Sequence, residues 1–189
     1  MYKHALVIAA EKLSTVTDWE DRATCVLFGD GAGAAVLGKV EKGGILGAHL
    51  GADGSKGDLL QLPAGGSRMS ASITTVQNKL HTIKMEGNVL FKHAVKIMAE
   101  AALAVTEPLG LKGDDIDIII PHQANLRILH ALAKRMGVDP NKKVYLNIEK
   151  YGNMSAASSA VALTEAVEVG RIKKGDTILM DAFGGGLTW

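Results

Sequence analysis

Cysteine is almost missing from this chain. Cys25 is the single one in 189 residues, which excludes an internal disulfide framework and any cysteine-rich metal site. The six histidines form no HExxH pair or close ligand spacing, so no metal is expected. Charge of one sign is lacking too: a formal net charge of +1 carries no Lys/Arg excess of the kind that binds nucleic acid. No apolar run approaches the roughly 20 residues of a membrane span. The run from Ala5 to Ala10 is too brief for a signal-peptide core with its flanks. These absences point to a cytoplasmic protein without nucleic-acid or membrane partners.

What is present is apolar residue. At 47% hydrophobic against 22% charged, the chain can bury a sizeable core as one compact domain or as part of a larger one. Ala5 to Ala9 and Cys25 to Phe28 read as buried strands, which makes Cys25 an inert core thiol rather than a nucleophile, since no helix N-terminus or basic residue stands beside it to activate it. Gly31, Gly33 and Ala35-Val36 have spacing close to a dinucleotide fingerprint, but the short apolar segment Ala34 to Val40 suits a strand and not the helix that fingerprint needs. The glycines are read instead as places of close backbone approach.

Ile45 to Leu50 reads as another strand, and Gly65 to Thr75 as a Gly/Ser/Thr-rich loop. Gly87 to Leu109 carries apolar residues at helical spacing, with Lys92, His93 and Lys96 on its polar side. Asp115 to Ile120 is a continuous apolar strand of the type covered on both faces. The helix after it has Asn125 as N-cap and Gly137 at its C-terminal stop. Val144 to Ile148 is expected as a strand, Ser155 to Val169 as a small-residue helix lying in the core, and Thr177 to Ala182 as a closing strand. Both ends of the chain are expected to be cut from something longer. Helices alternating with apolar strands define an α/β layer architecture whose strand-end loops are the natural site.

Two such loops carry chemistry. His122 and Asn153 each precede a helix, and each is expected to follow a strand. Two neutral N–H donors near helix N-termini make an oxyanion site for acyl or enolate chemistry. Arg127, Lys134 and Arg135 form a basic stretch on the helix after His122, equally an ordinary solvated face or a docking surface for a phosphate or an acidic partner.

Val26 to Leu37, Pro121 to Ile128, Gly152-Asn153 with Ser155 to Ser158, and Phe183 to Trp189 together give a recognisable pattern. The chain resembles the C-terminal portion of the β-ketoacyl-acyl-carrier-protein synthase III family, condensing enzymes of the thiolase superfamily that initiate type II fatty-acid synthesis. The resemblance implies a thiolase-like layered αβαβα fold, of which residues 1–42 would end the N-terminal half and residues 43–189 would form the C-terminal half without its last strand. It implies decarboxylative Claisen condensation of the substrates acetyl-CoA and malonyl-acyl carrier protein without a cofactor, with His122 and Asn153 as the catalytic pair. Gln123, Ala124, Asn125, Leu126, Arg127, Lys92, Lys134 and Arg135 would meet the carrier protein. Gly87, Phe91, Leu60, Ile83, Gly184 and Gly185 would line the CoA and acyl pocket.

The pattern departs from the family at Met154, where threonine is usual. More seriously, the family's nucleophilic cysteine lies in an N-terminal half that this sequence does not contain. The resemblance therefore implies partners beyond the carrier protein and the CoA thioester: the missing N-terminal half, and a second copy in the intact homodimer. The chain alone is expected to be inactive. The competing readings are a non-catalytic acyl-carrier- or CoA-binding assembly module, a related condensing enzyme of secondary metabolism, and, more distantly, dinucleotide binding.

Overall fold

The computed structural model describes residues 2–189. Two long strands, β1 (His4–Lys12) and β2 (Asp30–Gly38), pair antiparallel from His4 opposite Gly38 to Lys12 opposite Asp30. A short antiparallel pair, β3 (Leu60–Gln61) and β4 (Lys84–Met85), follows, with the helix α1 (Ile73–Gln77) between its strands. The long helix α2 (Gly87–Thr106) leads to β5 (Ile118–Pro121) and α3 (Leu126–Arg135). Two short helices, α4 (Pro140–Lys143) and α5 (Ile148–Tyr151), precede α6 (Ala157–Glu168). The last strand, β6 (Ile178–Asp181), runs parallel to β5 with Pro121 opposite Asp181.

These elements stack in layers because β5 is apolar on both faces. Ile119 packs with Ala102 of α2 and Ala133 of α3, while Ile118 and Ile120 point the other way onto Ala162 and Ala166 of α6. A second cluster joins α2 to α3 through Leu90, Ala94, Met98, Ile128 and Leu132, and takes in Phe183 and Leu187. Helix α6 is thus sandwiched, with β5 on one side and the β1–β2 hairpin on the other. Its small residues make that possible. A Cβ on Gly33 would lie 2.6 Å from Ala160 Cβ of the helix, and one on Gly31 would collide with Met154 Sδ in the turn before it, so the strand backbone touches the helix and its lead-in directly. The glycines sit inside a strand that no helix follows, which removes the dinucleotide reading.

Several expectations need correction. Thr24 to Leu27 is a series of turns and Cys25 is half-buried, because this segment is held by local bonds from Thr24 and Cys25 to Asp21 O and not by a ladder. Ile45 to Leu50 lies outside any strand, with Ile45 80% exposed. Val144 to Ile148 contributes a single bridge to Ile119 before the chain coils into α5. The hairpin strands, expected to be buried, leave Leu6, Val7, Ile8 and Val36 each more than half exposed, since α6 covers only the glycine end of one face. The Gly/Ser/Thr-rich stretch is not bare loop, since Ser72 caps α1 through a reciprocal bond with Thr75.

Candidate active site

His122 is placed by the end of β5. Its backbone N–H donates to Asp181 O at 2.7 Å, continuing the parallel ladder one residue past Pro121. The side chain is buried. Desolvation pulls its pKa down from 6.5 to about 4, against a smaller opposing effect from a hydrogen bond to the Ser155 backbone. Burial penalises the charged ring, so His122 is neutral at physiological pH.

Asn153 is placed differently from expectation: it follows the helical turn α5, not a strand. Gly152, at φ 71°, reverses the chain. Asn153 N then donates to Leu27 O and Asn153 O accepts from Gly29 N, which clamps the residue to the segment leading into β2. Its Oδ1 accepts from Ser155 N at 2.8 Å. This contact commits the oxygen and leaves both Nδ2 protons free to donate. Ser155 itself has φ 50°, a conformation that costs a non-glycine residue about 1 kcal/mol and is found at functional turns. The Ser155 backbone meets Asn153, and the His122 and Asn153 side chains both line one cleft of about 1960 Å³.

The cleft gathers most of the other expected residues. Leu60, Ile83, Gly87, Phe91, Ala124, Asn125, Arg127, Gly184 and Gly185 line it with His122 and Asn153. Asn125 also caps α3, accepting from Arg127 N at 2.9 Å. The Arg127 guanidinium lies 5.2 Å from the centre of the Phe91 ring, a cation–π contact that fixes the arginine at the rim. Leu126, Lys92, Lys134 and Arg135 lie off the cleft; Lys92 is exposed on α2, and Lys134 and Arg135 end α3.

Gln123 corrects the expectation of carrier contact. It is fully buried, donating to Pro121 O and Tyr145 O and accepting from Asn147 N, so no partner protein can touch it. Asp181, which the sequence did not single out, is also buried on the cleft. Its Oδ2 has no partner, and burial pushes its pKa up to about 8. Its signal was a lone acid ending the apolar run Ile178-Leu179-Met180. Ser155 was visible only as a small residue before a helix. Among the described residues no three His, Cys, Asp or Glu side chains gather as a metal site, and no helix is long and apolar enough to cross a membrane.

Layered sheets and helices with a buried neutral histidine and a free amide on one cleft define a protein of the thiolase-like class. Comparison with known proteins narrows this. Residues 107–189 match the family described as 3-oxoacyl-[acyl-carrier-protein (ACP)] synthase III C terminal, and residues 1–54 the one described as 3-oxoacyl-[acyl-carrier-protein (ACP)] synthase III. The β-ketoacyl-[acyl-carrier-protein] synthase III of Caldanaerobacter subterraneus subsp. tengcongensis is 61% identical over all of this chain and 57% of its own length, and that of Clostridioides difficile is 57% identical with the same coverage. The crystal structure of the synthase III from Aquifex aeolicus superposes with a TM-score of 0.86 at 48% identity, covering 99% of this chain and 56% of that one. The priming β-ketosynthase of the R1128 polyketide pathway superposes at 0.84 with 36% identity, over 98% and 55% of the two chains. The chain belongs to the β-ketoacyl-acyl-carrier-protein synthase III family, and it spans a little over half the length of the relatives it matches.

Proposed function

We propose that this chain supplies the oxyanion half of a fatty-acid-initiating condensing site. Malonyl-acyl carrier protein binds with its thioester oxygen facing His122 Nε2–H and Asn153 Nδ2–H. As the carboxylate leaves as carbon dioxide, negative charge collects on that oxygen, and the two neutral donors stabilise it. The resulting carbanion attacks the carbonyl carbon of the acetyl thioester that a cysteine outside this chain has formed from acetyl-CoA; the new C–C bond forms as the C–S bond breaks and the cysteine leaves as its thiolate. The observation that carries this reading is that a buried, neutral histidine ring and an amide whose oxygen is already committed to Ser155 N line one cleft.

His122 suits the role because burial keeps it neutral. A charged imidazolium would not be needed and would cost desolvation. Arg127 on Phe91, with the exposed Lys92, Lys134 and Arg135, offers a positive rim for the acidic carrier protein. The pantetheine arm would pass Gly87 and Phe91 to reach Leu60, Ile83, Gly184 and Gly185. Residues 1–42 belong to the N-terminal half in this reading, and the exposed apolar residues of β1 and β2 are the surface on which the rest of that half packs. The intact enzyme would be a homodimer, and this chain alone has no synthase activity.

The fatty-acid reading is preferred over secondary metabolism because the relatives at 61% and 57% identity are synthases III, against 36% for the polyketide ketosynthase. A purely carrier-binding module would have no use for a buried neutral histidine beside a free amide. The test uses the full-length synthase that carries this chain. His122→Ala abolishes malonyl decarboxylation, a loss on the order of a hundredfold or more, while acetyl transfer to the cysteine continues. Equal loss of both steps overturns the division of roles.

A further inference from the structure

Gln123 has no exposed surface, yet its amide makes three hydrogen bonds between separate segments. Its Nε2 donates to Pro121 O at 3.1 Å and to Tyr145 O at 3.0 Å. Its Oε1 accepts from Asn147 N at 3.1 Å. One end of this bridge is thus the strand end that carries His122, and the other is the residue that opens α5. From Asn147 the connection continues. Asn147 Nδ2 donates to Glu165 Oε2 on α6 at 2.8 Å, while Glu165 Oε1 receives Lys150 Nζ at 2.5 Å and Tyr151 OH at 3.2 Å.

Helix α5 is therefore fixed at its start by Gln123 and along its length to α6 by Glu165. Asn153 sits in the turn between those two helices. Only Nδ2 of Asn147 can meet a carboxylate, so the amide orientation follows from Glu165, whose pKa is lowered by Lys150 first and Asn147 second. A buried amide that satisfies three separate backbone groups specifies one geometry, where an apolar side chain of the same size would fill the space and leave the segments free to slide.

We propose that Gln123, Asn147 and Glu165 are positioning residues of the condensing site: their relay sets the separation and angle between His122 and Asn153. This rests on the reading of those two as the oxyanion donors. Nothing in the relay touches substrate. Its effect is on the turnover step, because a donor pair out of place by a fraction of an ångström still lets the carrier dock but no longer meets the oxygen together.

The test uses the full-length synthase. Glu165→Ala lowers kcat for malonyl decarboxylation about tenfold, with KM for malonyl-acyl carrier protein within about twofold of wild type and acetyl transfer to the cysteine unchanged. Glu165→Gln, which keeps an oxygen for Asn147 Nδ2, restores most of the rate. An unchanged kcat, a fall shared by acetyl transfer, or no rescue by glutamine overturns the proposal. Should Glu165→Ala not fold, Lys150→Ala, at an exposed position, gives the same pattern with a loss of about threefold, and an unchanged rate there overturns it as well. His122→Ala run in parallel separates the two ideas. If it leaves decarboxylation intact, the donor assignment itself has failed; if it abolishes decarboxylation while the Glu165 variants are normal, only the relay has.

Discussion

His122 ties its protonation state to its place in the fold, and this makes the residue testable without substrate. The ring reached its buried position because β5 ends at Pro121 and the next backbone N–H completes the ladder to Asp181. Desolvation then holds the pKa near 4. In a histidine-selective NMR titration of the protein, the His122 ring resonances keep their neutral shifts until the pH falls to about 4. The 15N shifts should also report the proton on Nε2, the tautomer an oxyanion donor needs. A midpoint near 6.5 would mean that solvent reaches the ring. Proton on Nδ1 would leave Nε2 an acceptor and remove it as a donor. Asn153 has no such handle, since an amide does not titrate; its proposed role as a donor is supported by Oδ1, which Ser155 N occupies.

At the level of elements, the glycines of β2 explain why the hairpin and α6 lie so close. Gly33→Ala places a Cβ 2.6 Å from that of Ala160 and 3.5 Å from the backbone of Val161. The helix is already packed on β5 and has no room to retreat, so the variant loses about 1–3 kcal/mol. Urea unfolding measures this, with Gly54→Ala, whose new Cβ meets nothing within 4 Å, as the control. Equal midpoints for the two variants would show that the contact yields at no cost. The same packing decides what was legible beforehand. Strand β5 and helix α3 could be read because their apolar pattern matches the faces that are covered, and the cap at Asn125 is a local signal. The segment 25–28 and Val144 to Ile148 also show short apolar runs, but each reaches its neighbour through an isolated bridge, Phe28 to Asn153 and Val144 to Ile119, and Val26 stays 68% exposed, a difference that no local pattern contains. Of the candidate site, His122 and Asn153 were readable from their motifs, whereas the bonds that join Gln123 to Tyr145 and Asn147, and Asn147 to Glu165, link residues 18 to 24 positions apart and have no sequence signal.

Stability of the whole molecule against pH follows from two buried groups shifted in opposite senses. His122 titrates near 6.5 when unfolded and near 4 when folded, so between those values the unfolded chain binds the extra proton and stability rises with pH. Asp181 titrates near 3.8 unfolded and near 8 folded. Between those values the folded chain binds the extra proton, and stability falls as pH rises. The carboxylates with lowered pKa, Asp18, Asp30, Asp53 and Glu165, act in the acid range, and the raised Lys79, Lys150 and Tyr145 in the alkaline one, which leaves pH 5 to 8 to the buried pair. From pH 5 to 6.5 the two slopes oppose each other and the melting temperature stays level. From 6.5 to 8 Asp181 acts alone, and the protein loses about 2 kcal/mol at 1.36 kcal/mol per pH unit. Asp181→Asn keeps the shape and removes the titration, so its melting temperature climbs from pH 5 to 6.5 on the His122 slope and then holds steady to pH 8. Calorimetric scans of both proteins across this range check the sign at each step. A wild-type melting temperature that stays constant from pH 6.5 to 8 would mean that the Asp181 carboxylate finds solvent or a cation in the cleft and ionises freely in the folded protein.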